Sequence, residues 1–432
     1  MSTLVPLGHV EVPDGVLVIV DPGLGRFWRG RGDPRSPRAS DPAQTDLEIV
    51  GADAVAAGVA YDRSFDPRYL FDVTDGPRAI ARFAAFAREH DFDAKARPRS
   101  SRMSHHDRAR SAAAFGDGLG VVVYNGLWGV VADGLPTERP LAVRGELMPA
   151  GEFERRFAWI DVIVAEGEHV PARGPNASVE GVMVDHGQLM FAGLEGMHAL
   201  QVWKSLDGLA DFVFHGPDAA AVADKFGATT LSDTHYGWRD VAMGEIGTHA
   251  QAVQEWVAGQ KLRVGIDYRP HCNLERFNAQ LRASAEDTAE LQLAGARTVA
   301  CGNRWGDGMF AVERRVAADG SLARLRVVLA TEARMNNMRV LQLAPRGAVV
   351  SNKILDDAEP VRFADRAEPR DGRDSGWSFF AGTEDDAYAA DASNFQIASI
   401  RHVLRIAPEL RPIIVAPPGS EFRREGDQFV PG

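Results

Sequence analysis

Apolar positions along the chain switch between two periods. VLVIV (16–20), VVVYNGLWGVVA (121–132), RFAWIDVIVAE (156–166), DFVFHG (211–216) and LRVGIDYRPH (262–271) read as strands. PRAIARFAAFAREH (77–90) instead places Ile80, Phe83, Phe86 and Ala87 along one helical face, with Pro77 in the first turn, where its missing N–H is not needed. Further helices are predicted over 104–115, in PDAAAVADKFGA, in LERFNAQLRAS and across about 396–406. In MFAVERRVAADGSLARLRVVLA two strand-like runs flank Asp319-Gly320, a hairpin turn signal. Short strands mixed with helices, and hairpins between neighbours, predict α+β units with mostly antiparallel sheets. A doubly wound sheet is disfavoured, because no strand leads through a glycine fingerprint into a helix.

Punctuation divides this pattern. The loop 29–42 (RGRGDPRSPRASDP) is rich in Arg, Pro and Ser and can bury little. GEHVPARGPNAS (167–178) is a polar break. With 432 residues the chain is too long for one ordinary core, and the expected division is 1–166, 179–335 and 341–432. No repeat of fixed period is visible.

Composition narrows the class of protein. A 45% apolar and 25% charged chain is that of a globular protein. The formal net charge of −12 argues against a nucleic-acid or anionic-membrane binder, which needs a basic face to displace counterions. Two cysteines, Cys272 and Cys301, can build neither a disulfide framework nor a four-cysteine zinc site. The first residues show no basic and apolar leader, and no apolar run approaches bilayer length, so a cytoplasmic protein is expected and the sequon at Asn176 reads as accidental.

Enzyme-like residues concentrate in the middle of the chain. SDTHYGWRD holds His235, Trp238, Arg239 and Asp240; DYRPHC holds Asp267, Arg269, His271 and Cys272; NRWGDG holds Trp305 and Asp307. His235, Asp240, Asp267 and His271 are the types that could ligate a metal or pair as base and orienter, so a metal-assisted hydrolase is one alternative. None of the spacings matches a zinc, hydrolase, phosphate-loop or nicotinamide motif, and no cofactor or metal is expected. The competing reading makes Gly-Trp-Arg-Asp and Trp-Gly-Asp-Gly turns closed by a core aromatic. His105-His106-Asp107 opens a helix, and Asp185-His186 reads as a turn. Cys272 is poorly placed for activation by His271, since neighbours on a strand point to opposite faces.

The negative charge is concentrated. Between 356 and 391, eleven acids face four arginines, a net of −7 out of the chain's −12. Within this stretch DSGWSFFAGTEDDAY (374–388) sets Trp377, Phe379 and Phe380 beside Glu384, Asp385 and Asp386. TEDDAYAAD lacks the ligand order of a calcium loop. Consecutive acids repel one another and suit water or a cationic partner. Strand alternation sends some of the aromatics into a core.

The last ninety residues resemble the immunity protein thirty-three family, domains of bacterial polymorphic toxin systems. VVSNKI (349–354), the DSGWSFFAGTEDDAY block, NFQIASIRHVLRIAPELRPII (394–414) and PPGSEFRREGDQFV (417–430) carry the resemblance. It implies a non-enzymatic protein that neutralises a toxin or another protein partner, with Trp377, Glu384, Asp385, Asp386 and Tyr388 as the partner-facing residues. The middle region is similar to uncharacterised bacterial proteins and implies no activity. A multi-domain scaffold or regulator is the remaining alternative.

Overall fold

A computed structural model describes residues 3–32, 34, 43–62, 66–173, 177–200 and 204–432. Most of the 29–42 loop and Asn176 lie outside the described residues. The chain is α+β with several, mostly antiparallel, sheets. It divides into two compact units, Met1–Leu329 and Ala330–Gly432. Among the described residues no helix is long and apolar enough to cross a membrane.

The first unit is built twice over. One sheet runs in the order Leu4–Val10, Leu141–Leu147, Phe157–Ile163, Leu322–Val328, Gly308–Val316, with Ser178–Val184 and the short Val170–Pro171 both pairing on Gly308–Val316. A second runs Thr288–Leu293, Ala296–Gly302, Gln188–Gly193, Leu17–Val20, Leu127–Ala132, Leu119–Tyr124. Apart from Val170–Pro171, each order reads the same from both ends once a strand of the first half is matched to its counterpart in the second. Both sheets therefore interleave strands from the two sides of the polar break at 167–178. The hairpin expected at Asp319-Gly320 joins Gly308–Val316 to Leu322–Val328, with Gly320 at a φ of 84°.

Each half also carries an α/β insert whose central strand comes first in sequence. In the first half Thr45–Val50 lies between Tyr69–Val73 and Lys95–Pro98, with helices Ala54–Tyr61 and Gly76–Glu89. In the second half Leu209–His215 lies between His235–Ala242 and Gly265–Pro270, with helices Ala219–Phe226 and Ile246–Gln260 and an added edge strand Thr229–Ser232. An eleven-residue helix follows each insert, His105–Phe115 and Asn273–Ala283.

Small details repeat with the folds. Asp46 accepts the Asp72 backbone N–H at 3.2 Å, and Asp211 accepts that of Asp240 at 3.2 Å. Asp72 and Asp240 both hold φ at 56°, a left-handed value that aspartate tolerates better than most residues. Asp53 accepts from Asp93 N at 2.9 Å, and Asp218 from Arg263 N at 2.8 Å. Gly51 and Gly216, both at positive φ, sit where a side chain would collide with the Asp93 and Arg263 carbonyls. DLEIVGADA and DFVFHGPDA are the matching sequences. The unit is an internal duplication, one without a fixed period. Insertions hid it: the separation is 165 residues from Asp46 to Asp211, 168 from Asp72 to Asp240 and 172 from Pro98 to Pro270.

The second unit is one sheet in the order Phe395–Ser399, Gly347–Ser351, Asp374–Phe380, Phe363–Arg366, Glu421–Glu425, Gln428–Pro431. Gly347–Ser351 and Asp374–Phe380 run parallel; the other pairs are antiparallel. The helix expected across 396–406 begins only at Ile400, because Phe395–Ser399 pairs with Gly347–Ser351 and Ser399 caps the helix that follows.

Candidate functional site

The stretch DSGWSFFAGTEDDAY is a strand, a tight turn and the short helix Asp386–Ala390. Alternation sorts its aromatics between two faces. Trp377 and Phe379 are fully buried, their rings stacked at 5.6 Å, and the Trp377 indole donates to Ile414 O at 3.0 Å. Trp377, expected at the partner surface, is thus a core side chain of this unit.

Phe380 lies on the other face and is only half-buried. It meets Phe363 at 6.1 Å and Phe395 edge-on at 5.9 Å, and Phe395 meets Tyr388 edge-on at 5.8 Å. The Tyr388 hydroxyl donates to Asn394 O at 3.2 Å, and the Lys353 ammonium stands 4.9 Å from its ring centre. An apolar patch with polar handles results, of the kind protein interfaces favour.

The three acids beside it differ in role. Glu384 turns back on the strand end, accepting from Ala381 N at 2.8 Å and Thr383 N at 3.1 Å. Burial works against its charge, but hydrogen bonds from Ser351 and from the backbone of Ala381, Gly382 and Glu384 win, so its carboxyl stays below the ordinary value. Asp385 caps the short helix, accepting from Tyr388 N at 2.8 Å, yet remains exposed. Asp386 stands in that helix's first turn, in solvent, where its charge favours the helix dipole.

Residues 348–430 match the Immunity protein Imm33 domain. The matched segment covers the six strands' sheet almost completely. No curated protein and no solved structure gives a match.

In the first unit the structure separates the four residues proposed for a hydrolase. His235 starts its strand beside His215, with Ser232 and Thr234 hydroxyls about its Nδ1 at 3.1 and 3.0 Å. Asp267 pairs with Arg269 at 2.9 Å on the rim of a cavity of about 490 Å³. Asp240 and His271 meet at the opposite strand end from His235, together with two residues the sequence reading missed, Asp207 and Asp211. His271 Nδ1 contacts Asp207 at 2.7 Å, while Nε2 lies 3.3 Å from Asp211 and 3.8 Å from Asp240. The Asp207 hydrogen bond leads in raising the imidazole above its ordinary value, and the same bond holds the Asp207 carboxyl down to about 2. Asp211, Asp240 and His271 come close enough to share an ion. Both imidazole nitrogens turned to carboxylates favour its protonated form, however, whereas a metal needs it neutral.

Several of the remaining candidates make structural contacts. The Trp305 indole donates to Phe157 O at 2.7 Å, and the Asn303 side chain closes the Trp-Gly-Asp-Gly turn. Asp21, fully buried, ties down the Asp185-His186 turn through both backbone N–H groups. Burial pushes the thiol of Cys272 up and that of Cys301 to about 12, the reverse of nucleophile activation. His105 and His106 open a helix, as expected, and are buried there, and desolvation first of all lowers both imidazoles.

Proposed function

We propose that this is a cytoplasmic immunity-type protein that neutralises a toxin by binding it through the Imm33 segment. The binding face is the half-buried group Phe380, Phe395 and Tyr388 together with the exposed Asp385 and Asp386. That juxtaposition, inside a segment matching an immunity domain, is the observation that supports the reading. A basic toxin surface suits it, because the acids remain hydrated until a cation arrives and the aromatics supply apolar area. Trp377 and Glu384 act behind this face, one filling the core and the other fixing the turn.

The test uses the full chain and a candidate basic toxin sought among the proteins of its own host. Asp386→Lys combined with Asp385→Asn, which keeps a capping side chain, is expected to weaken toxin binding about tenfold and flatten its salt dependence. Phe395→Ser should cost a comparable factor. Undiminished affinity in both variants, with folding intact by circular dichroism, would remove this face from consideration. Glu384→Gln should instead lower stability by about 1–3 kcal/mol, by weakening charge-assisted hydrogen bonds to the turn.

A further inference from the structure

The duplication allows one half of the first unit to be read against the other. In the first half Asp46 and Asp72 are buried, and guanidinium groups neutralise them. Arg108 reaches both Asp46 oxygens at 3.0 and 3.1 Å and Asp72 at 2.9 Å, and Arg102 pairs with Asp72 as well. The equivalent carboxylates of the second half, Asp211 and Asp240, keep the same backbone bond and the same φ at the second aspartate.

Their cations are gone, for identifiable reasons. The segment that carries Arg102 is four residues shorter in the second half: Pro98 to Ser104 becomes Pro270 to Cys272. The helical position of Arg108 holds Arg276, which turns outward to the Asn273 side chain at 3.0 Å. Among the described residues no arginine or lysine reaches Asp207, Asp211 or Asp240. His271, one residue after the Arg-Pro shared by both halves, supplies a single positive charge for three carboxylates. Asp240 remains 71% exposed, with only a 3.8 Å contact to that imidazole.

We propose that Asp211 and Asp240, with Asp207 at their side, form a receptor for a guanidinium group brought by a ligand. The first half shows that this carboxylate pair, on this backbone, accepts the planar fork of an arginine. The second half presents it at the surface with a net deficit of positive charge. A divalent ion is the weaker fit, because both ring nitrogens of His271 already face carboxylate oxygens, Nδ1 at 2.7 Å from Asp207 and Nε2 at 3.3 Å from Asp211.

Calorimetric titration of the full chain with N-acetylarginine amide, agmatine and N-acetyllysine amide tests the assignment. The two guanidinium probes are expected to bind at millimolar level, at least about tenfold tighter than the lysine probe. The tighter of them identifies the source, a peptide arginine or a small guanidinium compound. Asp240→Asn should lose about tenfold or more in affinity without change in melting temperature. His271→Arg, which tethers a guanidinium at the site, should abolish binding and raise the melting temperature. Three results would each overturn the proposal: no guanidinium binding at tens of millimolar, equal binding by wild type and Asp240→Asn, or stoichiometric uptake of manganese or zinc that His271→Gln removes.

Discussion

Arg108→Ala is expected to destabilise the first unit by about 3–5 kcal/mol, the usual loss when one partner of a buried ion pair is removed. The Arg108 side chain is wholly inaccessible, as is that of Asp46, and Asp72 nearly so. Besides the two carboxylates, its guanidinium donates to Met103 O at 3.0 Å and Val123 O at 3.1 Å and lies 4.4 Å from the Phe71 ring centre. Truncation leaves Asp46 facing Asp72 with only Arg102 between them, and strands two carbonyls without a donor. Unfolding in urea, followed by the first unit's transition, measures the effect. Asp46→Asn in the Arg108→Ala background should recover part of the loss, because the orphaned charge is then gone. Additive losses would show that packing alone, not charge compensation, holds this network.

Trp377→Ala should cost the C-terminal unit about 3–5 kcal/mol through the cavity it leaves. The indole is 1% exposed, stacked on Phe379 with an interplanar angle of 12°, covered by Phe422 at 6.1 Å and bonded to Ile414 O. Trp377→Phe keeps most of the volume and leaves the Ile414 carbonyl without that donor, so a loss of about 1–3 kcal/mol is expected. Comparing urea midpoints with the folded fraction's affinity for the proposed partner separates core from contact. Affinity lost by Trp377→Phe at full folding would put this residue back at the interface.

Local chemistry was legible where neighbours in sequence decide it. The helix over Gly76–Glu89 and the hairpin at Asp319-Gly320 follow from periodicity and a left-handed glycine, and the Trp-Gly-Asp-Gly turn was legible too, although Asn303 closes it and not its own aspartate. The family match of the last residues was likewise carried by a short ordered block. Burial of individual side chains was only half legible. Alternation says that Trp377 and Phe379 share one face and Phe380 takes the other, but not which face the core covers.

By itself, then, the sequence determined the α+β class, the concentration of negative charge at 356–391 and the immunity-domain character of 348–430. Only the tertiary structure decided which strands pair across hundreds of residues, and hence that the first unit is a duplication. Strand partners are chosen by packing between distant segments, and offsets drifting from 165 to 172 residues erase any fixed period. It likewise brought Asp207 and Asp211 to His271 and Asp240 and left His235 at the far strand end. A residue's chemistry is written in its side chain, but its partners depend on where the chain returns.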